Sequence, residues 1–300
     1  MAHIFFSHAY VSAGHSFDTT RKAEWVADSL ERSAITGIEI VEPSPLSGRQ
    51  VAEVHDVEYV RAVKKGHPRS LAESQGFVWD PGLWPMVLAS NGGVVAAALT
   101  ALDEGVSGSL SSGLHHARYD QGAGFCTFNG LVIAAKAALH ARARRVLILD
   151  LDAHCGGGTE SLIADESRIS QLDIAVNSYD RYVPSAQARL VIVTRGSDYL
   201  PAIRQILDEA DQRSDAFDLC LYNAGMDPFE DCPTGGLSGI TEEVLAERER
   251  LVFAWCHSRH MPVAFVLAGG YIGPSLDVDG LVALHRLTLD AAAGRSQGLS

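Results

Sequence analysis

The chain has 300 residues, 47% of them hydrophobic and 20% charged, with a formal net charge of −13. This length and composition suit a large α/β domain with a sizeable core and exclude a disordered chain. The acidic balance argues against nucleic acid as the main partner, because phosphate binding needs a basic surface.

The first apolar run, 3–6 in "MAHIFF", reads as a strand. It is too short for a signal peptide and no basic segment precedes it. In chain order the patterning then predicts a helix over 20–33, a strand over 37–41, a helix over 84–104 and a strand over 106–110. A half-buried helix over 124–141 follows, closed by Arg142, Arg144 and Arg145 as the helix dipole favours. Next come strands over 146–151, 172–176 and 190–194, a helix over 198–213, a strand over 217–222, a helix over 241–257, a strand over 263–267 and a helix over 275–293. No apolar run reaches about 18 residues, so neither a transmembrane helix nor a membrane partner is expected. The five cysteines include no CxxC pair, which predicts free thiols and a cytoplasmic protein. With no linker and no repeat, residues 1–300 read as a single domain. Alternating strands and helices predict an α/β fold with a mostly parallel sheet covered on both faces, whose ligands sit beyond the carboxyl ends of the strands.

Four polar motifs each follow an apolar run: "SSGLHHAR", "DLDAHCGGG", "YNAGMDPFED" and "AGGY". In the second, Asp150, Asp152 and His154 alternate, which on a strand would put them on one face. Asp152 and His154, joined by Asp227 from "NAGMDP", would make a site of two carboxylates and one imidazole with an open position for water, the pattern of a catalytic zinc site. Taken alone, the same residues could merely cap a helix. His115 and His116 are apt proton carriers if both face a cleft, and a solvated loop pair if not. Tyr271 follows a glycine pair that permits close backbone approach. Its hydroxyl could donate to an oxyanion, or its ring could simply pack.

In content and order, "SSGLHHAR…GAGFCTFN", "LILDLDAHCGGGT", "NAGMDP" and "LAGGY" resemble the signature segments of the zinc-dependent histone deacetylase family, which includes acetoin-utilisation proteins and acetylpolyamine amidohydrolases. "AEVHDVEYVRAV" (52–63) and "SNGGVVAAAL" (90–99) are weaker matches, and the resemblance covers roughly 50–275. It implies an arginase-like three-layer αβα sandwich with a central, mostly parallel eight-stranded sheet. It implies one Zn²⁺ held by Asp152, His154 and Asp227, with His116 as proton shuttle, His115 as its electrostatic partner and Tyr271 polarising the substrate carbonyl. Asp150 would support His115 and join a structural K⁺ site near Asp152 and His154. Gly124 and Phe125 would line an acyl tunnel with Tyr182 as the other wall, and Asp80 would be a rim carboxylate. The implied activity removes an acyl group, foremost acetyl, from acetyllysine, an acetylpolyamine or another small N-acyl compound. A homodimer stays open.

The sequence departs from that pattern after His154. The family usually continues with a second histidine, a glycine, then Asp or Asn; here stand Cys155, Gly156 and Gly157. Cys155 reads as a buried inert thiol rather than a ligand. Gly157 lacks the carboxylate that would orient His116, so another side chain or a water must fill the gap, or the pH profile is altered. Gly156 replaces the Asp that the related ureohydrolases use in "DAHxD" to bridge a second metal, which argues for one metal. Two other readings follow from these departures: a family member that binds an acylated or cationic ligand without efficient hydrolysis, and a redirected metalloenzyme of secondary metabolism that uses Cys155.

Overall fold

Each of the eight apolar runs forms a strand, and the strands pair into one sheet. The computed structural model describes residues 1–13, 18–212 and 216–294. In chain order the elements are β1 (Ala2–Phe5), α1 (Asp18–Arg32), β2 (Ile38–Val41), α2 (Gly48–Val51), α3 (Val57–Lys65), α4 (Arg69–Ala72), α5 (Leu83–Glu104), β3 (Val106–Ser109), α6 (Gly130–Ala141), β4 (Val146–Asp150), α7 (Gly157–Ile163), β5 (Ile169–Ala175), β6 (Ala188–Ile192), α8 (Tyr199–Asp211), β7 (Leu219–Ala224), α9 (Glu242–Ser258), β8 (Val263–Leu267) and α10 (Val278–Ala292). The sheet order is β2-β1-β3-β8-β7-β4-β5-β6, with every pairing parallel.

Strand alternation divides the interior into two cores. Along β4, Leu147, Leu149 and the following Leu151 pack with α1, α8, α9 and α10. Val146 and Ile148 face the other way, onto α3, α5 and α6. Both faces are therefore covered, which is why the central strands are apolar without a break. Helix α5 is long and apolar enough to cross a membrane, yet 67% of its most apolar window is buried inside the fold. It is the central helix of its layer, against β3, β8 and α6.

Most boundaries differ from expectation by one or two residues, and residue 213 of the expected helix 198–213 lies outside the described residues. The larger correction concerns 124–141. Helix α6 starts only at Gly130, where Asn129 caps it by accepting from Val132 N at 3.0 Å. Gly124 and Phe125 take left-handed φ of 49° and 64°, which no helix accommodates. The apolar content there belongs to a loop. The short helices α2, α3, α4 and α7 had no counterpart in the patterning.

Candidate active site

The four motifs extend from four adjacent strands, β3, β8, β7 and β4. Ser109, Val266, Asn223 and Asp150 lie in one register row across them. Strand order thus gathers at one edge side chains that are up to 157 residues apart in the chain, and that edge is the carboxyl one.

The strand premise behind the D-x-D-x-H spacing holds only for Asp150, where β4 ends; Asp152 and His154 sit in a bend just beyond it. The bend is held by backbone donors. Asp152 N donates to Asp150 Oδ1 (3.2 Å), His154 N to Asp152 Oδ1 (3.0 Å) and Ala153 N to Asp227 Oδ1 (3.0 Å). Gly269 N donates to Asp152 Oδ2 at 2.8 Å. A Cβ at residue 269 would stand 2.1 Å from Asp227 Oδ2, so only glycine allows this approach. Behind the bend, fully buried Arg248 donates to Leu151 O (3.3 Å) and Gly225 O (2.6 Å) and so joins the β4 and β7 ends; it is neutralised by Glu249 at 2.6 Å.

Asp152, His154 and Asp227 come together as expected, one donor atom from each lying within 4.8 Å of the others. His154 Nδ1 is 3.1 Å from both Asp152 Oδ1 and Asp227 Oδ2. All three residues are buried, and Asp227 Oδ2 makes no hydrogen bond of acceptable geometry. Burial and the Asp152 carboxylate push Asp227 up to about 6. Burial opposes charge on His154, but the two carboxylates outweigh it and raise its pKa to about 10. The site therefore calls for positive charge, and the orphaned Asp227 oxygen, with the His154 imidazole and the Asp152 carboxylate beside it, fits a divalent ion of zinc type.

Beside this set, His115 Nδ1 lies 2.7 Å from Asp150 Oδ2, and its Nε2 is 3.1 Å from His116 Nε2. Asn223 Nδ2 donates to the other Asp150 oxygen at 2.8 Å. Burial disfavours charge on His115, but Asp150 and Asp152 overcome it and raise its pKa to about 10. Burial lowers His116 to about 4, and the neighbouring His115 charge adds to that. The pair is thus electrostatically split, one ring cationic and the other neutral. His116 Nδ1 lies 3.0 Å from Asp180 Oδ2, in the loop after β5. Asp180 was not singled out in the sequence; the only hint was the empty place at Gly157.

An open cavity of about 670 Å³ is lined by His116, His154, Tyr271, Gly124, Phe125 and Tyr179 among others. Neither the expected second wall, Tyr182, nor the expected rim carboxylate, Asp80, is part of it. Tyr182 turns its hydroxyl to Arg189 O at 3.2 Å, toward the sheet edge at β6. The wall residue is Tyr179, whose ring meets His116 edge-on at a centroid distance of 5.0 Å. Asp80 is taken up by its own turn, where its Oδ1 accepts from Gly82 N at 2.6 Å ahead of α5. Its place at the rim of the cavity is not borne out by the lining. Cys155 is buried, with its thiol near Asn177 O at 3.4 Å and pushed up to about 12 by burial. It stands outside the donor set, which leaves the thiol-based reading without support.

A three-layer αβα sandwich with an Asp–His–Asp donor set and paired histidines at its carboxyl edge defines an arginase-like hydrolase frame. The family model of the histone deacetylase domain matches residues 15–188. An uncharacterised protein from Picosynechococcus sp. is 31% identical over 273 residues, 88% of each chain. Histone deacetylase 2 from Arabidopsis thaliana is 27% identical over 279 residues, 88% of this chain and 71% of the plant protein. In fold the chain is similar to acetylpolyamine aminohydrolase from Burkholderia pseudomallei, with a TM-score of 0.79 at 18% identity over 98% of this chain and 99% of that one. The chain belongs to the histone deacetylase family and is a hydrolase of the deacetylase type.

Proposed function

We propose that the protein is a zinc-dependent amidohydrolase that removes an acyl group, foremost acetyl, from an N-acylated amine. The observation that carries this is the meeting, on one cavity, of His154 from the donor set, His116 and Tyr271. Zn²⁺, when bound by Asp152, His154 and Asp227, lowers the pKa of water and polarises the amide carbonyl. His116 Nε2, which in the resting site faces the Nε2–H of His115 at 3.1 Å, exchanges that contact for the attacking water, takes its proton and returns it to the leaving amine. His115, kept cationic by Asp150, keeps His116 neutral and so ready to act as a base. Tyr271 donates its hydroxyl to the developing oxyanion, and Phe125 and Tyr179 flank the acyl-bearing arm. The products are a carboxylate and a free amine.

Three further parts belong to this reading. A K⁺ beside Asp150 would offset the repulsion between Asp150 and its register partner Asp173, a buried carboxyl group pushed well up by burial and by Asp150. Residues 1–300 act as one catalytic domain. The protein works in a reducing cytoplasm, consistent with five buried cysteines that form no disulfide. The test is a rate panel over acetylpolyamines, acetyllysine peptides and longer acyl chains, run with zinc analysis and Asp152→Ala as control. The expected result is about one zinc per chain and hydrolysis of at least one class. Rates equal to the control on every substrate would overturn the proposal.

A further inference from the structure

Gly157 raises the question of what holds His116, and the answer lies 23 residues further along the chain. Asp180 reaches into the site from the loop after β5, with its carboxylate buried. Its Oδ2 accepts from His116 Nδ1 at 3.0 Å and from Gly158 N, at the start of α7, also at 3.0 Å. Its Oδ1 pairs with Arg118 Nη2. The loop is fixed to the metal-bearing bend by Cys155 N donating to Tyr179 O at 3.0 Å. The two positions also exclude one another: a Cβ on Gly157 would stand 2.3 Å from Asp180 O and 2.7 Å from Asp180 Oδ1. Glycine at 157 is therefore the condition for Asp180 to sit where it does.

We infer that Asp180 is the positioning carboxylate of His116, supplied from the loop after β5 in place of a side chain at 157. By accepting from Nδ1 it keeps the proton on that nitrogen and leaves Nε2 as the basic atom. Arg118 and the Gly158 amide hold the carboxylate in place. Tyr179, the preceding residue, is a cavity wall in edge contact with the same imidazole. One loop therefore aims the base and shapes the substrate arm together, so a change in Tyr179 is felt at His116.

This inference rests on the amidohydrolase reading for its rate consequence but not for its geometry, and the experiment separates the two. In the metal-free protein, ¹⁵N-imidazole NMR should show His116 as the Nδ1–H tautomer. Asp180→Ala should convert it to a tautomer mixture, while isosteric Asp180→Asn, which can still accept, should retain it. In the zinc-loaded protein, Asp180→Ala should lower kcat about 10- to 100-fold, the range found when a metal-ligating histidine loses its carboxylate partner, with KM changed less than about threefold. Gly157→Asp alone should also lower kcat, because it displaces Asp180. Combined with Asp180→Gly, it should recover at least about a tenth of the wild-type rate. A His116 tautomer indifferent to Asp180→Ala, or a change in KM with kcat untouched, overturns the inference. If the wild-type chain hydrolyses nothing, the proposed function fails and the NMR result alone decides the role of Asp180.

Discussion

Asp227 divides its two oxygens between jobs. Oδ1 is committed to the Ala153 amide, and Oδ2 is left to face His154. Asp227→Asn preserves shape but turns part of that group into a donor, so zinc affinity should fall more than about 100-fold, beyond what losing an outer partner costs. Equilibrium dialysis measures it, and a fall of less than tenfold would remove Asp227 from the ligand set. Cys155 gives the opposite expectation. Its thiol is buried and pushed up to about 12, so Cys155→Ala should leave rate and zinc content within about twofold of wild type. The change should cost about 1 kcal/mol for the small cavity left behind. A lost activity with retained zinc would restore the thiol-based reading.

The loop that carries the histidine pair is held in place by His55, which precedes α3. His55 Nδ1 lies 2.8 Å from Arg118 O, and its Nε2 accepts from Asn129 N at 2.9 Å. The ring bridges the 115–118 loop and the cap of α6. Burial lowers its pKa from 6.5 to about 4, against the backbone contacts that raise it. Between those two values the unfolded chain binds more protons than the folded one. The stability involved is complete above about pH 6.5 and is lost as the pH falls toward about 4. His55→Gln can make both contacts without titrating. Urea unfolding at pH 6.5 and 4.5 should therefore show the wild type losing of the order of 2 kcal/mol more than the variant; equal losses would show that His55 does not titrate as its burial implies.

Across the whole molecule, the ends of β4 and β7 that carry the donor set are joined by Arg248, which α9 carries into the interior. Arg248→Ala would leave Glu249 as an uncompensated buried charge and free two carbonyls, at an expected cost of about 3–5 kcal/mol. It should also loosen the donor set, because Leu151 and Gly225 each lie within two residues of a ligand. Denaturant unfolding of the metal-free protein and zinc titration should both weaken; unfolding unchanged within 1 kcal/mol would show that the joint is not structural.

Much of this was legible along the chain. The unbroken apolar runs are one strand each, since burial on both faces removes the usual alternation. The donor residues and the histidine pair were legible because each follows such a run at its carboxyl end. What could not be read was anything decided between loops of different strands. Tyr182 and Tyr179 are equally good wall residues in a sequence, and only the turn after β5 decides which ring reaches the cavity. Asp80 looks free until its own turn is seen to use it. The sequence by itself determined an α/β fold with a parallel sheet covered on both faces and which side chains stand at the strand ends, because both follow from local hydrophobic pattern. Tertiary structure alone decided which carboxylate meets His116, because a glycine at 157 records only that space is vacant, and the packing of a distant loop determines what fills it.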